Sequence, residues 1–247
     1  FNDPLILKSM KNTLFMAFVS TPINLFIALL LATLLNRKFK GRGVARTIFF
    51  MPSVIPMVAA TMVWIWMFDP TYGYINRVLE IFGINGPAWL INPAYTKWAL
   101  VLMGTWCTGT TMLICLAALQ DVPKSYYEAA DLDGANTIQK FFKITLPCVA
   151  PVLVYQAILN IINAFQYFTQ VYVIISASSG GGSSNASGGP ANSILMYPLY
   201  LFNTAFSYMN MGKASAMAWL LFIVVSIMTF IMIKLTKKVS ENGAGDE

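Results

Sequence analysis

The sequence predicts an all-α protein that crosses a membrane several times. Of its 247 residues, 57% are hydrophobic and 11% are charged, whereas soluble domains usually carry about 25% charged residues. The mean hydropathy is +0.64. This composition excludes both a water-soluble globule and a disordered chain. The sequence contains no histidine, which excludes catalytic and metal sites that depend on imidazole.

Apolar runs of the length needed to cross a bilayer, about 20 residues, predict five membrane-spanning helices. They are residues 14–35, 45–68, 98–119, 147–175 and 214–235. The fourth would be about 43 Å long, which exceeds a bilayer core of about 30 Å, so it is expected to tilt or to kink near Pro151. Pro22, Pro52 and Pro56 permit kinks in the first two spans, because each removes a backbone hydrogen bond.

The distribution of lysine and arginine predicts the orientation. Most basic residues fall in the loop after the first span, in the segment between the third and fourth spans, and in the C-terminal tail. Cytoplasmic loops carry such an excess, so these segments are expected in the cytoplasm. The segments 69–97 and 176–193, the second rich in glycine and serine, are then external. A chain that begins outside indicates a further span before Phe1. The net charge of +6 suits anionic lipid, and nucleic acid is not expected as a partner.

The cytoplasmic segment 120–147 carries the signals of a helical hairpin. Asp121 is a candidate N-cap with Pro123 in the first turn, which predicts a helix over 122–132. Gly134 follows that helix, where glycine favours termination.

A second short helix is predicted over 137–145, with Asn136 as its cap and Pro147 separating it from the next span. The first helix and the turn carry small and acidic side chains, which suit close approach by a partner with basic groups. From these features alone, the segment is either a docking site for another protein or a hairpin that links two spans.

The spacing in this segment resembles the EAA loop of membrane subunits of binding-protein-dependent ABC importers. The matching residues are Glu128-Ala129-Ala130, Asp133-Gly134-Ala135, Phe141, Ile144 and Leu146-Pro147. A second set resembles the carbohydrate-uptake branch of these permeases, the maltose and glycerol-phosphate type: Gly188-Gly189-Pro190, Ala205-Phe206 and Gly212-Lys213-Ala214-Ser215-Ala216. The resemblance implies the type I permease fold, in a single transmembrane domain over 1–247. That fold has six spans, of which the first is absent from this sequence.

The resemblance also implies the partners and the division of labour. A related second permease subunit, an ABC ATPase dimer and an extracytoplasmic solute-binding protein are expected. ATP and Mg²⁺ would be held by the ATPase, with no cofactor, metal or catalytic residue on this chain. The phosphate-binding pattern G-x-x-x-x-G-K-[ST] is missing, because Gly212-Lys213 is followed by Ala214 and Ser207 replaces the first glycine. The residues implied to contact the ATPase are Glu128, Ala129, Ala130, Asp133, Gly134 and Ala135.

Polar side chains recur along the fourth predicted span at spacings of four and three residues. They are Gln156, Asn160, Asn163, Tyr167 and Gln170. On one helix they would share a sector of about 80°. Contact of this polar face with lipid would cost free energy, because hydrocarbon cannot form hydrogen bonds with it. They would form either hydrogen bonds between helices or part of a solute path. No charged residue occurs between Lys143 and Lys213, which argues against a strongly ionic solute bound there.

A second polar cluster, Thr105–Thr111, lies in the third predicted span. In the maltose-type family the sugar lies between these two spans, and the best-aligned positions are Cys107, Thr110, Asn160, Ala164 and Tyr167. Cysteine and alanine offer little hydrogen-bonding chemistry. The predicted substrate path is therefore Thr110, Asn160, Asn163 and Tyr167.

These features together predict the permease subunit of an ATP-driven sugar importer in the cell membrane. Alternatives within the same machine are a polyol, glycerol phosphate or an oligopeptide-like solute. A secondary transporter or channel acting alone is disfavoured, since no ionisable residue lies deep in a predicted span. The three cysteines, at positions 107, 115 and 148, are predicted to be small core residues.

Overall fold

The structure is a computed structural model that describes residues 3–178 and 188–243, and this part of the chain is built from α-helices and turns. Residues 179–187 of the predicted Gly/Ser-rich loop lie outside it. The helices are α1 (Pro4–Phe15), α2 (Thr21–Asn36), α3 (Arg42–Phe50), α4 (Met57–Met67), α5 (Tyr74–Ile81), α6 (Pro93–Trp106), α7 (Gly109–Asp121), α8 (Lys124–Leu132), α9 (Thr137–Lys140), α10 (Leu146–Phe165), α11 (Thr169–Ser178), α12 (Tyr197–Phe202) and α13 (Met211–Gly243). Turns of π-helix occupy Met16–Ser20, Phe141–Thr145 and Asn203–Ser207, and 3₁₀ turns occupy Met51–Val54 and Pro190–Asn192.

The predicted count of five spans agrees with the helices. Within residues 3–178 and 188–243, three helical stretches are long and apolar enough to cross a membrane: Pro4–Asn36, Thr137–Ser178 and Met211–Lys234. Two bent helix pairs bring the number to five if each pair is one span. The first span begins well before the predicted residue 14, because Asp3 caps α1 by accepting a hydrogen bond from the Leu5 N–H at 2.9 Å and Pro4 occupies its first turn.

The second predicted span, 45–68, is sharply bent, as its prolines Pro52 and Pro56 permit. The pair formed by Arg42–Val54 and Met57–Met67 is bent by 99°. Ile55 and Pro56, between the two legs, have ψ angles of 132° and 131°, outside the helical region. The ring of Pro56 excludes the helical conformation for the residue before it and removes a donor N–H, so the helix ends there.

The third span is also bent, by 50° between α6 and α7, a break that the run 98–119 did not predict. Its helix starts earlier, at Pro93, because Asn92 caps it through the Ala94 N–H at 3.0 Å. The two bends pack against each other at Gly109. A Cβ atom there would lie 2.8 Å from the Phe49 carbonyl oxygen, so only glycine fits.

Two main groups of buried side chains hold the helices together. The group on the predicted outer side includes Trp64, Phe68, Leu100 and Tyr197. The group on the predicted cytoplasmic side packs α2, α7 and α10 through small and branched side chains. Its buried members are Ala28, Ala32, Leu35, Met112, Cys115, Leu116, Leu119, Val122 and Val149.

Residues 194–200, which the sequence did not assign to any element, lie deep in the outer group. Residues 194–197 are at most 1% exposed. The Asn12 side chain donates hydrogen bonds to two carbonyl oxygens here, those of Asn192 and Leu195, both at 3.0 Å. The Tyr197 hydroxyl donates to the Met217 carbonyl at 2.9 Å. The segment therefore ties the first and last spans together.

Asp3 connects the same helices at the outer surface. Its carboxylate accepts hydrogen bonds from the Tyr200 hydroxyl and from the Lys213 ammonium group, with which it forms an ion pair. Burial raises the pKa of Asp3, but these hydrogen bonds lower it more, to about 2.

Candidate functional site

The cytoplasmic hairpin begins with α8, which differs from the prediction at its start. Asp121 is the last residue of α7 rather than a helix cap. Helix α8 begins at Lys124, and Pro123 occupies the cap position with a ψ angle of 135°. The reason is again the proline, which forces the preceding backbone out of the helical region and ends α7.

The turn after α8 is built as predicted around Gly134. Its φ is +73°, a left-handed conformation that glycine adopts without strain. The Gly134 N–H donates to the Asp131 carbonyl at 3.2 Å, and the Ala135 N–H donates to the Ala130 carbonyl at 2.9 Å. This pair of bonds is a Schellman motif, which satisfies the last carbonyls of the helix.

The second arm of the hairpin runs directly into the fourth span. Asn136 caps α9 as predicted, in a reciprocal capping box with Gln139. The prediction that Pro147 separates this helix from the span is wrong. A π-helical turn, Phe141–Thr145, joins α9 to α10, and Pro147 fits the first turn of α10 because the missing N–H is tolerated there.

One side of the hairpin is exposed, and its other side packs against the spans. Glu128, Ala129, Asp133 and Gly134 are exposed, and Ala130 and Ala135 are half-buried. Tyr127 packs against the cytoplasmic core group, and its hydroxyl lies 2.8 Å from the Thr145 hydroxyl oxygen.

A polar cavity of about 380 Å³ lies between the bends of the spans. Its lining comes from the first span, the α6–α7 bend and the end of α10. The lining residues are Met16, Ser20, Thr21, Asn24, Met57, Gly104, Cys107, Thr108, Thr111, Asn160, Asn163, Ala164, Gln166, Tyr167 and Gln170. No lining residue is charged. The volume lies within the range of about 300–1,000 Å³ that is usual for small-molecule sites.

Two polar atoms of cavity-lining residues are buried without a hydrogen-bond partner. They are the Asn24 amide oxygen and the Tyr167 hydroxyl. A third lining side chain, Asn160, donates to the Gln156 carbonyl at 2.8 Å. Buried polar groups are almost always paired, so these two atoms indicate where a bound solute or water would make hydrogen bonds.

The structure brings together three of the four residues predicted for the substrate path. Asn160, Asn163 and Tyr167 line the cavity, whereas Thr110 is exposed and lies outside its lining. The neighbouring Thr108 and Thr111 take its place, because the bend at Cys107 changes the direction of the helix.

The predicted polar stripe is not the face of one continuous helix. Helix α10 ends at Phe165 and α11 begins at Thr169, so Tyr167 lies in the break and Gln170 on the next helix. Gln156 is buried outside the cavity lining. The break places the Tyr167 side chain at the cavity.

Sequence reasoning missed the contribution of the first span. Ser20, Thr21 and Asn24 line the cavity, and Ser20 belongs to a π-helical turn that starts at Met16. Such turns often occur at functional sites. The only signal was three hydrogen-bonding side chains within five residues of an otherwise apolar run.

The cysteines occupy three different environments. Cys115 is buried, as predicted, but Cys107 is half-buried at the cavity and Cys148 is exposed. The prediction of core positions is therefore wrong for the latter two. Among the described residues, no cluster of acidic or cysteine side chains could hold a metal ion.

The comparisons with known proteins identify the class. The family of binding-protein-dependent transport system inner membrane components matches residues 24–240. The chain therefore belongs to this family of transport permeases, and it is an integral protein of the inner membrane.

Its relatives carry transport names. The chain is 41% identical over 229 residues to the probable ABC transporter permease protein YesP of Bacillus subtilis, covering 92% of this chain and 71% of the relative. It is 33% identical over 236 residues to the lactose transport system permease protein LacF of Rhizobium radiobacter, covering 94% and 76%. Its fold is similar to that of a chain in the crystal structure of a bacterial ABC transporter involved in alginate import, with a TM-score of 0.78, 20% identity and coverage of 96% and 81%.

Proposed function

We propose that the chain forms part of the path by which an ATP-driven importer carries a neutral saccharide across the membrane. The observation that carries this proposal is the uncharged cavity, where amide and hydroxyl groups of the first, third and fourth spans converge. Amides and hydroxyls both donate and accept hydrogen bonds, as sugar hydroxyls do. This chain's side of the lining holds no cation that could pair with an anionic solute such as glycerol phosphate.

Asn160, Asn163 and Tyr167 would bind the saccharide in this cavity, together with Asn24. The buried oxygen of Asn24 can accept a hydrogen bond from the solute, and the Tyr167 hydroxyl can donate one. Thr110, exposed beside the bend, would contact the solute only at an earlier or later stage of transport. The lactose permease name of a relative supports a sugar as the solute.

The cytoplasmic hairpin would dock on the partner ATPase through Glu128, Ala129, Ala130, Asp133, Gly134 and Ala135. Each arm of the hairpin leads to the cavity. Helix α7 rises from Asp121 to Gly109, and the stretch from α9 to α10 rises from Thr137 to Phe165. The second stretch is about 43 Å long at 1.5 Å per residue, so a displacement of the hairpin would move Asn160 and Asn163 directly.

The full importer would consist of this subunit, a second related permease, an ATPase dimer and an extracytoplasmic solute-binding protein. ATP hydrolysis and Mg²⁺ belong to the ATPase in this proposal, and this chain carries no cofactor. The second permease would close the open side of the cavity.

Transport assays with the reconstituted importer test this function. Proteoliposomes that contain all subunits and the binding protein are expected to take up a disaccharide or oligosaccharide when ATP is inside. A Tyr167→Phe variant should import the same sugar less efficiently, whereas a Tyr208→Phe variant, changed at an exposed tyrosine outside the cavity lining, should match the unaltered protein. Uptake of glycerol phosphate but of no neutral sugar would contradict the proposal.

A further inference from the structure

The segment that joins α2 to α3 is strongly basic. Arg37, Lys38 and Lys40 fall within it, Arg42 and Arg46 follow in α3, and no acidic residue occurs between Pro4 and Phe68. The segment follows the end of α2, on the side where the basic residues predict the cytoplasm. It is therefore expected at the level of the lipid headgroups.

Arg42 and Arg46 differ from the other three because part of each guanidinium group is buried. Nε and Nη2 of Arg42 and Nε of Arg46 are buried and have no hydrogen-bond partner. Arg37, Lys38 and Lys40 are exposed. Within the described part of the chain, neither of these two arginines forms an ion pair. Withdrawing charged donors from water without a partner is costly, and a bound anion would remove this cost.

The helix geometry indicates what kind of anion fits. Arg42 and Arg46 are four residues apart and share one face of α3. Val44 and Ile48 lie on the opposite face and are 66% and 58% exposed, which suits contact with hydrocarbon. A helix with this pattern suits the interface between acyl chains and headgroups, and with its apolar face toward the hydrocarbon the arginine face would lie at the depth of the phosphates.

We propose that Arg42 and Arg46 bind the phosphate group of an anionic phospholipid of the cytoplasmic leaflet. Guanidinium groups bind phosphate oxygens in pairs of parallel hydrogen bonds. Basic pockets between spans on the cytoplasmic side have this lipid preference. Lys38 and Lys40 add long-range attraction. The apolar face of α3 favours a lipid over an acidic side chain from a partner subunit.

The bound lipid would stabilise α3 where it packs against the bend of the third span. The Phe49 and Phe50 backbone contacts Gly109, one residue from the cavity-lining Thr108. Lipid composition would therefore act on the geometry of the cavity from the cytoplasmic side.

Native mass spectrometry of the assembled importer tests this site. The complex is purified from nanodiscs that contain phosphatidylglycerol and phosphatidylcholine, and retained phosphatidylglycerol is counted. The double variant Arg42→Gln/Arg46→Gln should retain at least about tenfold less, because it removes the charge-assisted hydrogen bonds to the phosphate. The matched control Arg37→Gln/Lys38→Gln has the same charge change and should stay within about twofold of the unaltered complex.

Three outcomes would overturn the proposal. Equal loss in both double variants would mean general attraction by positive charge. Loss of a partner subunit with unchanged lipid retention would mean that the arginines pair with that subunit. Inorganic phosphate could also bind to the delipidated complex while added phosphate displaces no phosphatidylglycerol from the lipid-containing complex. That result would mean that the site binds free anions. If the glutamine variant does not assemble, Arg42→Lys/Arg46→Lys keeps the charge and should still retain less phosphatidylglycerol; unchanged retention would refute the site.

Discussion

Replacing Gly134 with valine should lower ATP-driven uptake severalfold while leaving the protein in the membrane. Gly134 holds the turn of the cytoplasmic hairpin with a φ of +73°. A left-handed backbone costs an ordinary L-residue about 1–2 kcal/mol, and a β-branched residue is rarely found in it. No atom lies within 4 Å of an added Cβ, so the cost is backbone strain and not a clash.

This cost decides the population of the native turn. A free-energy change of 1–2 kcal/mol alters an equilibrium by a factor of about 5–30. The two Schellman hydrogen bonds, to the carbonyls of Ala130 and Asp131, would be lost when the backbone relaxes. The turn that would dock on the ATPase would then have a different backbone conformation, while the packing of the spans would be unchanged.

Uptake into proteoliposomes and co-purification of the ATPase measure this effect. Gly134→Asn is the matched control, because asparagine tolerates the left-handed region, and it should keep most of the uptake. Normal uptake by the valine variant would refute the reasoning, and so would equal loss in the asparagine variant.

Three further predictions concern other parts of the structure. Tyr127→Phe removes the hydrogen bond to Thr145 and should weaken the attachment of the hairpin to the spans by about 1 kcal/mol. In a double-mutant cycle with Thr145→Val, the effects of the two substitutions on uptake should not add. Additive effects would mean that this hydrogen bond does not contribute to uptake. Gly109→Val should greatly lower the yield of monodisperse protein, because its Cβ would clash with the backbone of Phe49 and Phe50. Gly212→Ala should not lower the yield, because no atom lies within 4 Å of an added Cβ there. Equal yields would contradict the packing of the two bends. The contribution of Asp3 to stability is present above the ordinary pKa of 3.8 and is lost as the pH falls toward about 2. The melting temperature of Asp3→Asn should therefore lack the part of the acid-dependent decrease that Asp3 causes. An unchanged decrease would assign the effect to other carboxylates.

Much of the fold could be predicted from hydrophobicity because lipid requires long apolar helices. The five spans belong to this part, whereas the Gly134 turn could be predicted from the preference of glycine for helix ends. The bends could not be predicted, since a run such as 98–119 is equally apolar whether its helix is straight or broken. Pro52 and Pro56 marked the possibility of a bend in the second span, but no local pattern predicts its angle of 99°.

The cavity was predicted only in part for the same reason. A helical-period argument assumes one continuous helix, and it placed Asn160, Asn163 and Tyr167 on one face. The break after Phe165 and the bend near Cys107 decide which of the nearby polar residues line the cavity. The role of Asn24 depends on contacts between distant spans, which no local pattern reveals.

The most direct test of the central claim is solute protection of Cys107 in the assembled importer. Cys107 lines the polar cavity, Cys115 is buried, and Cys148 can be replaced by alanine because it is exposed. A small neutral maleimide should label Cys107, and a saccharide that the complex imports should slow this labelling in a concentration-dependent way. A labelling rate that the imported saccharide leaves unchanged would contradict the assignment of this cavity as the solute path.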